Sequence, residues 1–259
     1  MTTPYGLRAD ISSCAKFPTE DLSRTTTPWE LVSIQIKTPS EHRVDGKQFD
    51  GEFIMQHRGT GIHYDRLTFV SVFMDASGDT KNWELEKFLR MWGGSQAEQY
   101  KKCGKYYDID TCSVKKMRRN LRKHNNITLY GNYESYGTMY GNYPNKTATD
   151  RKLFREKFRP YNLIKGRTSE YYYGYEGSLL EPPCSEKVNW RILKTPMKIS
   201  KYHLEAINYM IAAHIDESTC KLGTAGKRRN KSSCFVDVTR PVQKETQIHH
   251  MIDCTHWTD

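Results

Sequence analysis

The chain has 259 residues, 37% hydrophobic and 12% aromatic, enough for one large domain with a sizeable core, and no apolar run reaches the ~18 residues that would cross a bilayer. Forty Lys and Arg against thirty Asp and Glu leave a formal net charge of +10, a bias toward polyanionic partners such as acidic polysaccharide. No nucleic-acid motif with its own structural context accompanies that charge, so neither nucleic acid nor a membrane is an expected partner.

Residues 1–27 are polar with Pro and Thr clusters and read as irregular; the start, MTTPYGLRAD, lacks the basic-then-apolar pattern of a signal peptide. From Trp29 the stretch WELVSIQI alternates as a strand does, Gly51–Met55 and Leu67–Met74 (LTFVSVFM) read as further strands, and Trp83–Trp92 has the apolar spacing of a short helix. Residues 93–160 then change character, from KKCGKYYDID to LYGNYESYGTMYGNYPNK, with Tyr, Gly and Asn in place of aliphatic residues. Such a stretch cannot supply a core and is expected to be a surface insertion. Strand patterning returns at Tyr171–Tyr175 and Val188–Leu193, a helix is expected over Lys201–His214 after a Ser200 cap, and a basic loop, KLGTAGKRRNKSS, precedes a last strand near Phe235–Val238. The expected class is mainly β with short helices, as one domain over 1–259, with core segments about 28–92 and 160–245 and an insertion about 93–160.

Seven cysteines occur without Cys-x-x-Cys spacing, a pattern that fits disulfides better than a zinc site. The sequons at Asn126, Asn145 and Asn230 lie in polar, loop-like stretches and, beside the cysteines, point to secretion and glycosylation. Two basic clusters stand out, Lys115, Lys116, Arg118, Arg119, Arg122 and Lys123 in the first and Lys227, Arg228 and Arg229 in the second. They read either as a polyanion site, for an acidic polysaccharide or acidic matrix component, or as solvated charged loops.

Five segments, TPSEHRVDGK, GEFIMQH, LTFVSVFM, YYGYEGSLLEPPCSEKVNW and TRPVQ, resemble, in order, those of the α-class carbonic anhydrases. The resemblance implies a twisted, mostly antiparallel central sheet. In the family the first of these segments is preceded by His-x-His, and these two histidines with a third from the neighbouring strand hold a zinc whose bound water, with a pKa of about 7, yields the hydroxide that attacks carbon dioxide. The matching positions here are Gln35, Lys37 and Ile54. The hydroxyl that orients the hydroxide is replaced by Leu180, followed by Glu181, while Glu41, His42 and His57 match retained framework positions.

What the resemblance implies is therefore a chain with the family's frame, no metal and no catalytic residues, acting as a secreted matrix or polyanion-binding protein. The alternatives are an active zinc carbonate dehydratase and a structural subunit of a larger assembly. The Tyr- and Gly-rich insertion and its basic stretch are similar to those of nacrein-like proteins of molluscan shell matrix. Relative to the family the chain is N-terminally truncated, either as an incomplete product or with a partner chain completing the sheet. Secreted family members imply a disulfide from Cys184 to Cys14, and Cys103 and Cys112, close together in one loop, are the next expected pair.

Overall fold

Alternation in WELVSIQIK builds the strand that organises the sheet, Trp29–Lys37 (β3), in which all five residues from Ser33 to Lys37 are buried. The computed structural model describes residues 2–3, 6–10, 29–60, 65–103, 158–165, 171–221, 223–224, 227–228, 236–242 and 250–253. Around β3 come Thr2–Thr3 (β1), Gly6–Asp10 (β2), Arg43–Val44 (β4), Lys47–Gln48 (β5), Gly51–Gly59 (β6) and Leu67–Asp75 (β7). The helix Trp83–Lys102 (α1) and a 3-10 turn at Pro160–Leu163 follow, then Tyr171–Ser178 (β8), Glu186–Lys198 (β9) and the helix Lys201–Ala212 (α2). Lys227–Arg228 (β10), Val236–Asp237 (β11) and His250–Asp253 (β12) complete the elements. The described residues fall into two compact units, one within Leu7–Asp75, Gly166–Met197 and Thr239–Asp259, the other within Met1–Gly6, Ala76–Lys165 and Lys198–Val238.

The first unit is the sheet, with strands in the order β2-β3-β6-β7-β9-β8-β12. β3 and β6 are antiparallel from Trp29↔Gly59 to Lys37↔Glu52, and β6 and β7 from Gly51↔Met74 to Arg58↔Leu67. Because side chains alternate along a strand, this register sorts the residues. Ile34, Ile36, Met55, Phe53, Val70 and Val72 line one face; Ser33, Gln35, Lys37, Glu52, Ile54, Gln56 and Ser71 line the other. Burying each aliphatic side chain of the first face stabilises by about 1.5–3 kcal/mol. Gly51 is required where β3 and β6 converge, since a Cβ there would stand 2.8 Å from the Lys37 carbonyl oxygen. The β4–β5 hairpin turns through Asp45 and Gly46, at φ 50 and 73, the Asp-Gly pairing that suits a tight hairpin.

In the second unit α1 starts where the Asn82 side chain accepts the Leu85 N–H at 3.0 Å, with Glu84 and Glu86 in its first turn, where the helix dipole favours negative charge. Leu85, Phe88, Leu89 and Trp92 make its buried stripe. α1 continues to Lys102, so residues 93–102 belong to a helix and not to the expected insertion; Gln96, Ala97, Glu98 and Gln99 are helix formers that carry it past Gly93 and Gly94. Gln96 Nε2 donates to the carbonyls of Met210 and Ala213 at 3.0 and 3.2 Å, satisfying the end of α2. α2 begins at Ser200, whose hydroxyl accepts the His203 N–H at 3.1 Å, and the buried His203 ring lies 3.0 Å from Glu86.

Two cysteine expectations are corrected. Cys103 is joined to Cys220 and not to Cys112, because the longer α1 delivers it to the loop after α2, Cα to Cα 5.6 Å. Cys184 is a free, exposed thiol at a turn closed by its own N–H to the Glu181 carbonyl at 2.9 Å, and not the partner of Cys14. Cys14, Cys112, Asn126, Asn145, Asn230, Arg229 and the Lys115–Lys123 cluster lie outside the described residues.

Candidate functional site

The polar face of β3, β6 and β7 is the candidate site. Ser33, Gln35 and Lys37 project from β3 at a spacing of two, and Gln56, Ile54 and Glu52 stand opposite them on β6. Ser33 Oγ donates to Gln56 Oε1 at 2.6 Å, Gln56 Nε2 donates to Gln35 Oε1 at 3.2 Å, and Gln35 Nε2 donates to Glu181 Oε1 at 2.6 Å. The Gln35 amide is thus used at both ends.

Two residues further along, the Lys37 ammonium lies 3.3 Å from Glu41 Oε1, with both side chains almost fully excluded from solvent. The second Glu41 oxygen accepts the Arg240 main-chain N–H at 3.0 Å, and the Arg240 guanidinium donates to Ser178 Oγ at 3.0 Å and to the Leu179 carbonyl. Burial pushes the Glu41 carboxyl above its ordinary range, and the charge of Lys37 is the largest effect working against that.

Glu52 is fully buried and carries its own set of partners. It accepts the His42 main-chain N–H at 3.0 Å, lies 2.6 Å from His42 Nδ1, and accepts the Ser71 hydroxyl. Burial alone would raise its carboxyl; the charge and hydrogen bonds of His42 outweigh that and hold it below the usual value. The other ring nitrogen of His42 meets the Tyr175 hydroxyl at 2.5 Å, and the ring packs edge-on against Trp190 at 4.7 Å.

Ile54 sits in an apolar cluster with Phe69, Leu180, Val188 and Trp190. Trp190 is fully buried and donates its indole N–H to the Ser178 carbonyl at 3.2 Å. The structure therefore brings Gln35, Lys37, Ile54, Leu180, Glu181, Glu41 and His42 into one unit of the protein. His57 is apart: it is three residues from Ile54 on β6 and faces the other side, where burial holds its imidazole down at about 4 and so uncharged at neutral pH. Of the basic residues, Lys227 and Arg228 form β10, opposite Asp237 and Val236 on β11.

Zinc does not fit this donor set. Gln35 offers an amide whose two polar atoms are already paired, Lys37 an ammonium and Ile54 an alkyl chain, in place of imidazole or thiolate. Among the described residues, no three His, Cys, Asp or Glu side chains converge as a metal-binding group. Sequence reasoning had singled out Glu41 and His42 but not Glu52, Ser71, Gln56, Tyr175 or Arg240. For Glu52 the signal was available, since it stands two residues before Ile54 in GEFIMQH and so shares its face.

Residues 130–247 match the family model for eukaryotic-type carbonic anhydrase. Carbonic anhydrase 6 of Homo sapiens is 24% identical over 189 residues, covering 63% of this chain and 58% of that protein. The α-carbonic anhydrase of Thermovibrio ammonificans aligns in structure with a TM-score of 0.47 and 21% identity, over 87% of this chain and 63% of that one. By these matches the chain is similar to eukaryotic-type carbonic anhydrases. Its relatives include a nacrein-like protein of Mytilus californianus, 22% identical over 208 residues with 70% of this chain and 61% of that protein covered, and the N66 matrix protein of Pinctada maxima, 26% identical over 161 residues with 60% and 24% covered. The chain thus spans less than two thirds of the length of these relatives.

Proposed function

We propose that this chain is a non-catalytic member of the carbonic-anhydrase group whose zinc site has been replaced by side chains paired with one another, and that it works outside the cell as a matrix component binding acidic polysaccharide or another acidic matrix constituent. The observation that carries the first half is the pairing of Gln35 with Glu181 at 2.6 Å and of Lys37 with Glu41 at 3.3 Å. Each pair joins a position that has departed from the family's zinc chemistry to a carboxylate, so both positions have a partner that is not a metal. An extracellular setting is supported by the Cys103–Cys220 disulfide, since such bonds persist in oxidising compartments, and by a relative named as a matrix protein. Binding of polyanions is supported by the net charge of +10 and by the Lys115–Lys123 and Lys227–Arg229 runs.

Two measurements test this reading. In stopped-flow hydration of carbon dioxide, the purified chain supplemented with zinc is expected to run no faster than the same buffer without protein; a rate that rises in proportion to the protein and is abolished by chelation would overturn the non-catalytic half. On an immobilised acidic polysaccharide the chain is expected to be retained at 0.1 M salt and released by 1 M, because the screening length falls from about 10 Å to about 3 Å. A variant with Lys115, Lys116, Arg118, Arg119, Arg122 and Lys123 changed to glutamine should elute at clearly lower salt. Elution unchanged by either manipulation would leave the basic runs as ordinary solvated surface.

A further inference from the structure

The pairing at the site has a second consequence, which rests on the metal-free reading above and extends it. We infer that the Lys37 ammonium is a built-in counter-cation: it supplies, from the chain itself, the positive charge that Glu41 requires in a site with neither a metal nor the family's hydroxyl. Lys37 is a positioning residue for Glu41 and, through it, for the segment that carries Arg240.

Three observations lead there. The first is burial. Lys37 is 0% exposed and the Glu41 side chain 5%, and an ammonium or a carboxylate in such surroundings is held only if it is matched. The second is the replacement at position 180. Leu180 lies in the apolar cluster with Ile54 and Trp190 and has no hydroxyl to donate, so the hydrogen bond that the family resemblance assigns to Glu41 is not available from it. What Glu41 has instead is the Lys37 ammonium 3.3 Å from Oε1, as an ion pair, and the Arg240 main-chain N–H donating to Oε2. The third is elimination of the neighbouring acid. Glu52 stands opposite Lys37 in the β3–β6 register, yet its oxygens are engaged by His42 and Ser71. Glu41 is the carboxylate with which the ammonium forms an ion pair, at 3.3 Å.

The same logic holds one residue pair away, where the Gln35 amide meets Glu181. The departures at 35 and 37 are each matched, Gln35 to Glu181 and Lys37 to Glu41, and reverting either one alone breaks its match. Lys37→His on its own is therefore expected to weaken the fold, because a neutral imidazole would leave Glu41 without its cation.

The experiment is a double-mutant cycle on the full chain, with Lys37→Met, Glu41→Gln and both together, read by urea unfolding with and without added zinc or a chelator. Each single change is expected to lower the folded-to-unfolded ratio roughly 100-fold or more, since each strands the partner charge in the interior. The double variant is expected to recover most of that loss. Recovery counts even if one single variant fails to fold, because the double then folds where the single does not. A double variant no more stable than the worse single would overturn the inference. The zinc arm is separate: a zinc-dependent rise in the wild-type unfolding midpoint would overturn the metal-free reading, whatever the cycle shows.

Discussion

His42→Ala is expected to lower the unfolding free energy at neutral pH by about 1–3 kcal/mol or more, the cost of leaving a buried carboxylate short of a hydrogen-bond partner. The residue left behind is Glu52, at 0% exposure. Its Oε1 would lose the His42 ring at 2.6 Å and keep only the Ser71 hydroxyl, while Oε2 keeps the main-chain N–H of residue 42. The Tyr175 hydroxyl, 2.5 Å from the other ring nitrogen, loses that contact too. The pH dependence has a definite sign. In the native protein the Glu52 carboxyl titrates below the usual carboxylate range, so its contribution is present above the ordinary carboxylate pKa and is lost as pH falls through the lower folded-state pKa. In His42→Ala burial dominates, the carboxyl titrates higher, and the penalty shrinks on acidification as Glu52 takes up a proton. Urea unfolding at neutral pH and near pH 4 measures both. His42→Asn, which keeps a donor near the place of Nδ1, should recover part of the loss. A His42→Ala protein within 1 kcal/mol of the native one, or a penalty that grows in acid, would show that the ring does not hold Glu52.

The strands were legible because period two is written into them: WELVSIQI and LTFVSVFM lie within strands Trp29–Lys37 and Leu67–Asp75. The reach of α1 was not, because the apolar helical spacing ends at Trp92, whereas the ten residues from 93 onward are held on the helix by Gln96 bonding to α2 and by the Cys103–Cys220 bond. Those contacts connect residues more than a hundred positions apart, as the disulfide's separation of 117 shows, and nothing local announces them. The cysteine pairing failed for the same reason: proximity in sequence favoured Cys112, and tertiary packing supplied Cys220. At the site, the identities at 35, 37 and 54 and the shared face of 35 and 37 could be read directly. The matches could not. That Gln35 meets Glu181 across 146 positions, and that Arg240 reaches Glu41 from 199 positions away, follows from the order of strands in the sheet and from the turn after β8.

The largest functional effect expected is the absence of zinc from β3 and β6. A structural zinc site is worth about 10–16 kcal/mol in small peptides. Here an ammonium stands at one ligand position, and at roughly 4 Å its repulsion of a dication is on the order of 8 kcal/mol at an effective dielectric of 20, twice the value for unit charges. Ile54 contributes no donor, and Gln35 would have to give up Gln56 or Glu181. The combined loss is comparable with the whole binding energy of a good site. Restoring histidine at 35, 37 and 54 together removes the repulsion and supplies three imidazoles, though Glu41 then loses its counter-cation and Leu180 still provides no hydroxyl. The most direct measurement is zinc per chain by elemental mass spectrometry, after incubation with excess zinc and desalting, for the native protein beside Gln35→His/Lys37→His/Ile54→His. The native chain is predicted to retain far less than one zinc and the triple variant to retain more; near one zinc per native chain, lost on chelation and unaffected by the triple substitution, would contradict a site closed by its own side chains.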